Sequence, residues 1–311
     1  MRTLRLPHTT LDVSAICLGA ADWGTKADDA QVDRLYETYR AAGGNCFDTA
    51  HVYAMWAGAT GASERALGAC VRRHGDRPNV VLVTKGGHPD CGPKYPRPDR
   101  YLAADVIARD VAESLERLQV DAIDLYFLHR DDERMPVGEI IEPLDEHVRA
   151  GRLRAIGASN WRAARIAAAN AHAAARGLTR FVASQVLYNL AQPTKPPGVP
   201  FLTGGELAWH AAGGMPVFAF SATANGYFAT GGQSAHRSYE NETSRARLDR
   251  AALLATERGA TANQVALAYL LHQPFPIVAM TGTTSVEHLR DALRSPDIAL
   301  TPEGVRWLRD G

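Results

Sequence analysis

Short apolar runs rich in β-branched and aromatic residues recur along this chain and alternate with longer segments of helical character. The runs lie at Ala15 to Leu18, Asn45 to Asp48, Val80 to Thr84, Ile123 to Leu128, Ala155 to Ala158, Phe181 to Val186, Val217 to Phe220 and Ile277 to Met280. Helical segments begin near Asp29, Ser63, Ala104, Val137, Trp161, Glu206, Leu248 and Val286; a last one follows Thr301-Pro302-Glu303, where Thr caps and Pro takes the first turn. Gly43-Gly44, Gly151 and Gly177 follow three of these segments and suit the left-handed C-cap conformation. Alternating strands and helices predict an α/β fold, a (β/α)8 TIM barrel of parallel strands with helices outside. A chain of 311 residues fits one such barrel, which needs about 250 residues plus insertions. No low-complexity linker divides it, so 1–311 is read as a single domain with long loops at the carboxyl face of the strands.

Three of these strand ends carry chemistry. Asp48 closes one run, Lys85 another and His129 a third, while Tyr53 lies just beyond Asp48. Tyrosine and lysine titrate at about 10 and 10.4 in water, so neither exchanges protons readily at neutral pH without help. An ammonium against a phenol lowers the phenol's pKa, and a carboxylate beside the amine keeps it charged. Such a group can protonate an oxygen that is becoming an alkoxide. The plainer alternatives are a salt bridge near a surface tyrosine and a structural histidine at a strand end.

Together, Asp48, Tyr53, Lys85 and His129 resemble, in order and spacing, the catalytic tetrad of the aldo-keto reductase superfamily. The resemblance extends over nearly the whole chain. Ser159 and Asn160 in Gly157-Ala158-Ser159-Asn160 are similar to the residues that hold the nicotinamide carboxamide, with Gln185 as companion; Phe220-Ser221 supply the stacking aromatic and a hydroxyl. The stretch Gly282-Thr283-Thr284-Ser285-Val286-Glu287-His288-Leu289, extended to Asp291, resembles the segment around the adenosine phosphate. The resemblance implies NADPH as cofactor, with NADH the alternative because Gly282 and His288 stand where many members carry lysine and arginine. It implies reduction of an aldehyde or ketone. Trp23, Trp56 and His88, with Tyr53 and Tyr95, fall in segments after predicted strands, where aromatic rings at a barrel mouth would suit a sugar-like or aromatic carbonyl substrate. Ser159-Asn160 could equally cap the helix before Trp161.

Three loops exceed simple connectors: Gly86 to Arg100, with Pro89, Pro93, Pro96 and Pro98; Leu190 to Gly205, with Pro193, Pro196, Pro197 and Pro200; and Ala222 to Ser244, rich in Gly, Ser, Thr and Asn and expected to be mobile. Long loops in compact domains are usually functional, and these are read as pocket walls and a cofactor clamp.

Charge and composition narrow the partners. The 34 basic and 34 acidic residues balance, with no basic cluster, which argues against nucleic acid or an anionic membrane as partner. No apolar run approaches the roughly 20 residues of a membrane span. The amino terminus lacks a signal-peptide core, so a cytoplasmic home is the default expectation. Cys17, Cys46, Cys70 and Cys91 form no short-spaced pair and are expected to be reduced thiols. His51, His88, His129 and His147 form no metal-ligand pattern, and no catalytic metal is expected. His129-Arg130-Asp131 matches the protein-kinase catalytic triplet, but no glycine-rich phosphate loop precedes it. A nicotinamide-binding sensor or accessory subunit with little turnover is the alternative to an enzyme; a complete tetrad argues against it.

Overall fold

The structure, a computed structural model, describes residues 1–195 and 198–311; Pro196 and Pro197, expected in a loop wall, lie outside the described residues. The eight expected strands are present as β3 (Ile16–Gly19), β4 (Cys46–Asp48), β5 (Val81–Gly86), β6 (Leu125–Leu128), β7 (Ile156–Ser159), β8 (Phe181–Leu187), β9 (Val217–Phe220) and β10 (Ile277–Gly282). They close in the order β10-β3-β4-β5-β6-β7-β8-β9, every pair parallel.

Side chains alternate along each strand. Cys17, Val83, Phe127, Phe218 and Val278 fill the barrel interior, while Leu18, Leu82, Tyr126 and Ile156 face the helices. Gly157 is dictated by this packing: a Cβ there would collide with the Phe127 ring.

Among the described residues, ten α-helices surround the strands: α1 (Asp29–Ala41), α2 (Ala62–Arg73), α3 (Ala104–Leu118), α4 (Val137–Arg149), α5 (Ala163–Arg176), α6 (Gly204–Gly213), α7 (Glu242–Arg258), α8 (Ala262–Leu271), α9 (Val286–Leu293) and α10 (Pro302–Asp310). Helix α8 escapes the sequence pattern because it is buried from Asn263 through Leu270, so it shows no polar stripe. Its start is nonetheless written in a capping box, Thr261 with Gln264. Helix α7 starts earlier than expected, where the Asn241 side chain accepts from the Ser244 amide.

The structure adds a short antiparallel hairpin, β1 (Thr3–Arg5) and β2 (Asp12–Ser14), before the barrel. Its strands are too brief for a periodic signal. Leu6, Leu11 and Val13 join the interior cluster and plug the amino end of the barrel. Only the carboxyl end stays open. No helix among the described residues is long and apolar enough to cross a membrane.

Candidate active site

Asp48 is the last residue of β4, Lys85 lies near the end of β5, and His129 follows β6 directly. The chain after β4 is pinned along β5, since the Thr49 amide donates to Val83 O at 2.9 Å and the His51 amide to Lys85 O at 2.8 Å. That course brings Tyr53 back over Lys85. The Lys85 Nζ donates to Asp48 Oδ2 at 2.7 Å, to Thr49 O at 2.7 Å and to the Tyr53 hydroxyl oxygen at 2.9 Å. An ammonium has three hydrogens, and all three are spent. The other oxygen of Asp48 accepts from Gln185 Nε2 at 3.0 Å, and Gln185 Oε1 accepts from Ser159 Oγ at 3.3 Å. One chain of bonds therefore runs from β7 to the Tyr53 phenol.

Burial is the largest influence on the Tyr53 phenol and pushes its pKa up; the Lys85 ammonium pulls it down without cancelling burial. The lowering expected from Lys85 is present but outweighed, and Tyr53 holds its proton at neutral pH. Burial pushes Lys85 down, yet Asp48 and Tyr53 beside it hold the ammonium above its usual range. Burial first, then the Lys85 charge, keeps the His129 imidazole well below its usual value, so the ring is neutral. Its edge meets the Tyr53 ring at 5.9 Å.

These groups open onto a cavity of 1160 Å³ lined by Asp48, Tyr53 and His129 on one arc and by residues of the β7 to β10 ends on the other. That exceeds the roughly 300–1,000 Å³ of a site for one drug-sized molecule, leaving room for a dinucleotide and a small substrate. Ser159, Asn160, Gln185, Phe220 and Ser221 line the second arc, as do Gly282, Thr283 and His288 farther out. Asn160 Oδ1, Asn263 Oδ1, Thr281 Oγ1 and His129 Nδ1, all on lining residues, are buried without a partner among the described residues. Buried polar groups are normally bonded, so these atoms fit a ligand rich in amide and hydroxyl groups, as a nicotinamide dinucleotide is. Ser159 and Asn160 do not cap α5, whose N-cap is Arg162. Asn160 instead adopts φ +60° and donates from Nδ2 to His129 O at 3.1 Å, tying the two arcs together.

Several expected pocket residues stand elsewhere. Trp23 is fully buried, edge-on to Phe47 at 6.2 Å, and belongs to the core rather than to a pocket wall. Trp56 is exposed and leans on the Tyr53 ring at 6.0 Å, outside the cavity lining. His88 sits behind the lining, its ring against His129 at 4.9 Å and its Nδ1 bonded to Pro89 O. Tyr95 is buried with its hydroxyl on His51 Nδ1. Asp291 also lies behind the wall, accepting from Thr261, Asn263 and Gln264. Thr284 turns its carbonyl to Gln31 Nε2 at 2.6 Å.

Other lining residues went unnoticed in the sequence. Asn263 depends on α8, and the Thr261 to Gln264 capping box was the available signal. Thr223, Asn225 and Gly226 come from the loop expected to be mobile, which is anchored by buried Tyr227, Phe228 and Tyr239.

Comparison with known proteins agrees with this geometry. The profile of the Aldo/keto reductase family matches residues 15–310, and the chain belongs to that family of oxidoreductases. It is similar to the uncharacterized oxidoreductase YrpG of Bacillus subtilis, 32% identical over 98% of this chain and 94% of the relative. Protein tas of Escherichia coli is 26% identical over 97% of this chain and 95% of its own length. Norsolorinic acid reductase A of Aspergillus parasiticus is 25% identical over 98% of this chain and 79% of its own.

Proposed function

We propose that this chain is an NAD(P)H-dependent reductase that converts an aldehyde or ketone to an alcohol, with Tyr53 as proton donor. The observation that carries the reading is the exhaustion of the three Lys85 hydrogens: the Tyr53 oxygen accepts from Lys85, so its own O–H is free to donate to an oxygen in the cavity. The bound reduced nicotinamide supplies the hydride. Asn160 and Gln185 hold its carboxamide, with Ser159 bracing Gln185 and Phe220 offering a ring face; Ser221 follows on the same strand end. Thr283, His288 and the first turn of α9 suit phosphate, since free amides at a helix start attract anions. NADPH is the expected cofactor and NADH the alternative, because Gly282 brings no charge.

The neutral His129 imidazole donates a hydrogen bond to the substrate carbonyl and fixes its direction. Tyr53 delivers its proton to that oxygen as negative charge develops, and Lys85 stabilises the phenolate left behind. Asp48 keeps Lys85 charged throughout. Donors aimed at a growing charge stabilise the transition state more than the ground state. The test is oxidation of NADPH and NADH by the purified chain with a panel of aldehydes, ketones and keto-sugars. Turnover with at least one carbonyl class supports the reading; cofactor binding without turnover across the panel supports a sensor instead.

A further inference from the structure

Arg130 follows His129 at the end of β6 and lines the same cavity as Tyr53 and His129. It is only partly exposed. The two residues that follow it are acidic, yet both are turned elsewhere: Asp131 pairs with Arg165 at 2.9 Å and Asp132 with Arg134 at 2.7 Å. Among the described residues, no carboxylate lies within ion-pair distance of Arg130 and no hydrogen bond leaves its guanidinium. Burial lowers its pKa, outweighing the opposing pull of Tyr101, Cys91 and Tyr53, and its charge in turn helps lower His88 and His129. A half-buried guanidinium that lacks a carboxylate is an unmet fork for a planar anion.

Its place in the barrel says which ligand that anion belongs to. Asp48, Lys85 and His129 stand at the carboxyl ends of β4, β5 and β6, adjacent strands on one arc, while the residues read as cofactor contacts stand at the ends of β7 to β10 and on α9. Arg130 is on the first arc, one residue from the imidazole that orients the carbonyl. Among the described residues, the only other cationic side chain on the cavity lining apart from the histidines is Lys195, in the loop after β8, and the only lining carboxylate is Asp48, already neutralised by Lys85.

We propose that Arg130 makes this site selective for carbonyl compounds that carry a second, anionic group, a carboxylate or a phosphate. The inference rests on the proposed carbonyl reduction. It is tested with matched substrates: 4-carboxybenzaldehyde against methyl 4-formylbenzoate, and glyceraldehyde 3-phosphate against glyceraldehyde, the two pairs separating carboxylate from phosphate. The wild-type chain should favour the charged member of at least one pair in kcat/KM by about ten- to a hundredfold, the range of a charge-assisted hydrogen bond. Arg130→Gln should bring that ratio near one, mainly by raising KM for the charged member. Arg130→Lys, which keeps the charge and loses the fork, should retain part of it, and circular dichroism checks that both variants fold. Turnover of neutral aldehydes with no preference for either charged partner overturns the inference and leaves the proposed reaction standing. A preference that survives Arg130→Gln, or a variant that raises KM for NADPH instead, also overturns it. Absence of turnover with every carbonyl compound removes the proposed reaction itself, and selectivity with it.

Discussion

Replacing Lys85 with methionine would keep the volume of the side chain and delete its charge at the centre of the bond chain. Lys85 and Asp48 have side chains 1% and 2% exposed, so this is a buried ion pair. Without the ammonium, Asp48 keeps only the Gln185 bond, and Tyr53 loses the donor that holds its oxygen. Breaking a buried pair by removing one partner costs about 3–5 kcal/mol, so urea denaturation of Lys85→Met should show a midpoint lowered at unchanged m-value. The loss should also depend on pH. Burial raises the Asp48 carboxyl above its usual range, and the ammonium that opposed this is gone. The folded variant then holds a proton that the unfolded chain releases near pH 3.9, so its stability should decline as pH rises from about 4 through the folded value. Adding Asp48→Asn removes the unpaired carboxyl and its titration, so the double variant should regain part of the loss and lose the pH dependence. Turnover should not return: both variants should stay about 10²- to 10⁴-fold below wild type, the usual worth of general acid catalysis. A double variant no more stable than Lys85→Met, or a single variant with wild-type turnover, would refute the account of Lys85.

Further outcomes follow from the same geometry. Because burial holds Tyr53 protonated and His129 neutral, the rate of carbonyl reduction should be level across neutral pH. It should fall only on the alkaline side of tyrosine's ordinary range near 10; a pH profile of kcat with a limb near 6.5 would show instead that His129 titrates in the working enzyme. Asn160→Ala removes the link to His129 and an unpaired buried acceptor, so fluorescence titration should show NADPH affinity weakened by about tenfold, the effect of one hydrogen bond to a buried partner. Trp23→Ala should cost about 3–5 kcal/mol of stability, as large-to-small core changes do. A normal denaturation midpoint with a greatly raised substrate KM would return Trp23 to the pocket.

The barrel was legible because its apolar strands alternate with helical segments and several joints between them carry a cap or a glycine. Gly43, Gly151 and Gly177 mark such joints in both sequence and structure. The grouping of Asp48, Lys85 and His129 at one face follows from the topology alone, since parallel strands deliver their carboxyl ends to the same side. What the sequence hides is lateral. Nothing local distinguishes Trp23, folded inward against Phe47, from Trp56, left outside over Tyr53, because both follow strand ends in similar loops. Asp291 was picked out with its segment, but which way a side chain on α9 turns depends on α8, whose uniform burial erases its own periodic signal. The balance between burial and Lys85 at Tyr53 likewise depends on tertiary enclosure.

The central claim is that Tyr53 donates the proton, and Tyr53→Phe tests it most directly. The ring that packs against His129 and Trp56 is kept and only the hydroxyl is lost. Steady-state oxidation of NADPH by the best carbonyl substrate, measured beside fluorescence titration of the cofactor, should show near-normal cofactor affinity with turnover reduced by about 10²-fold or more; wild-type turnover in Tyr53→Phe would contradict the account.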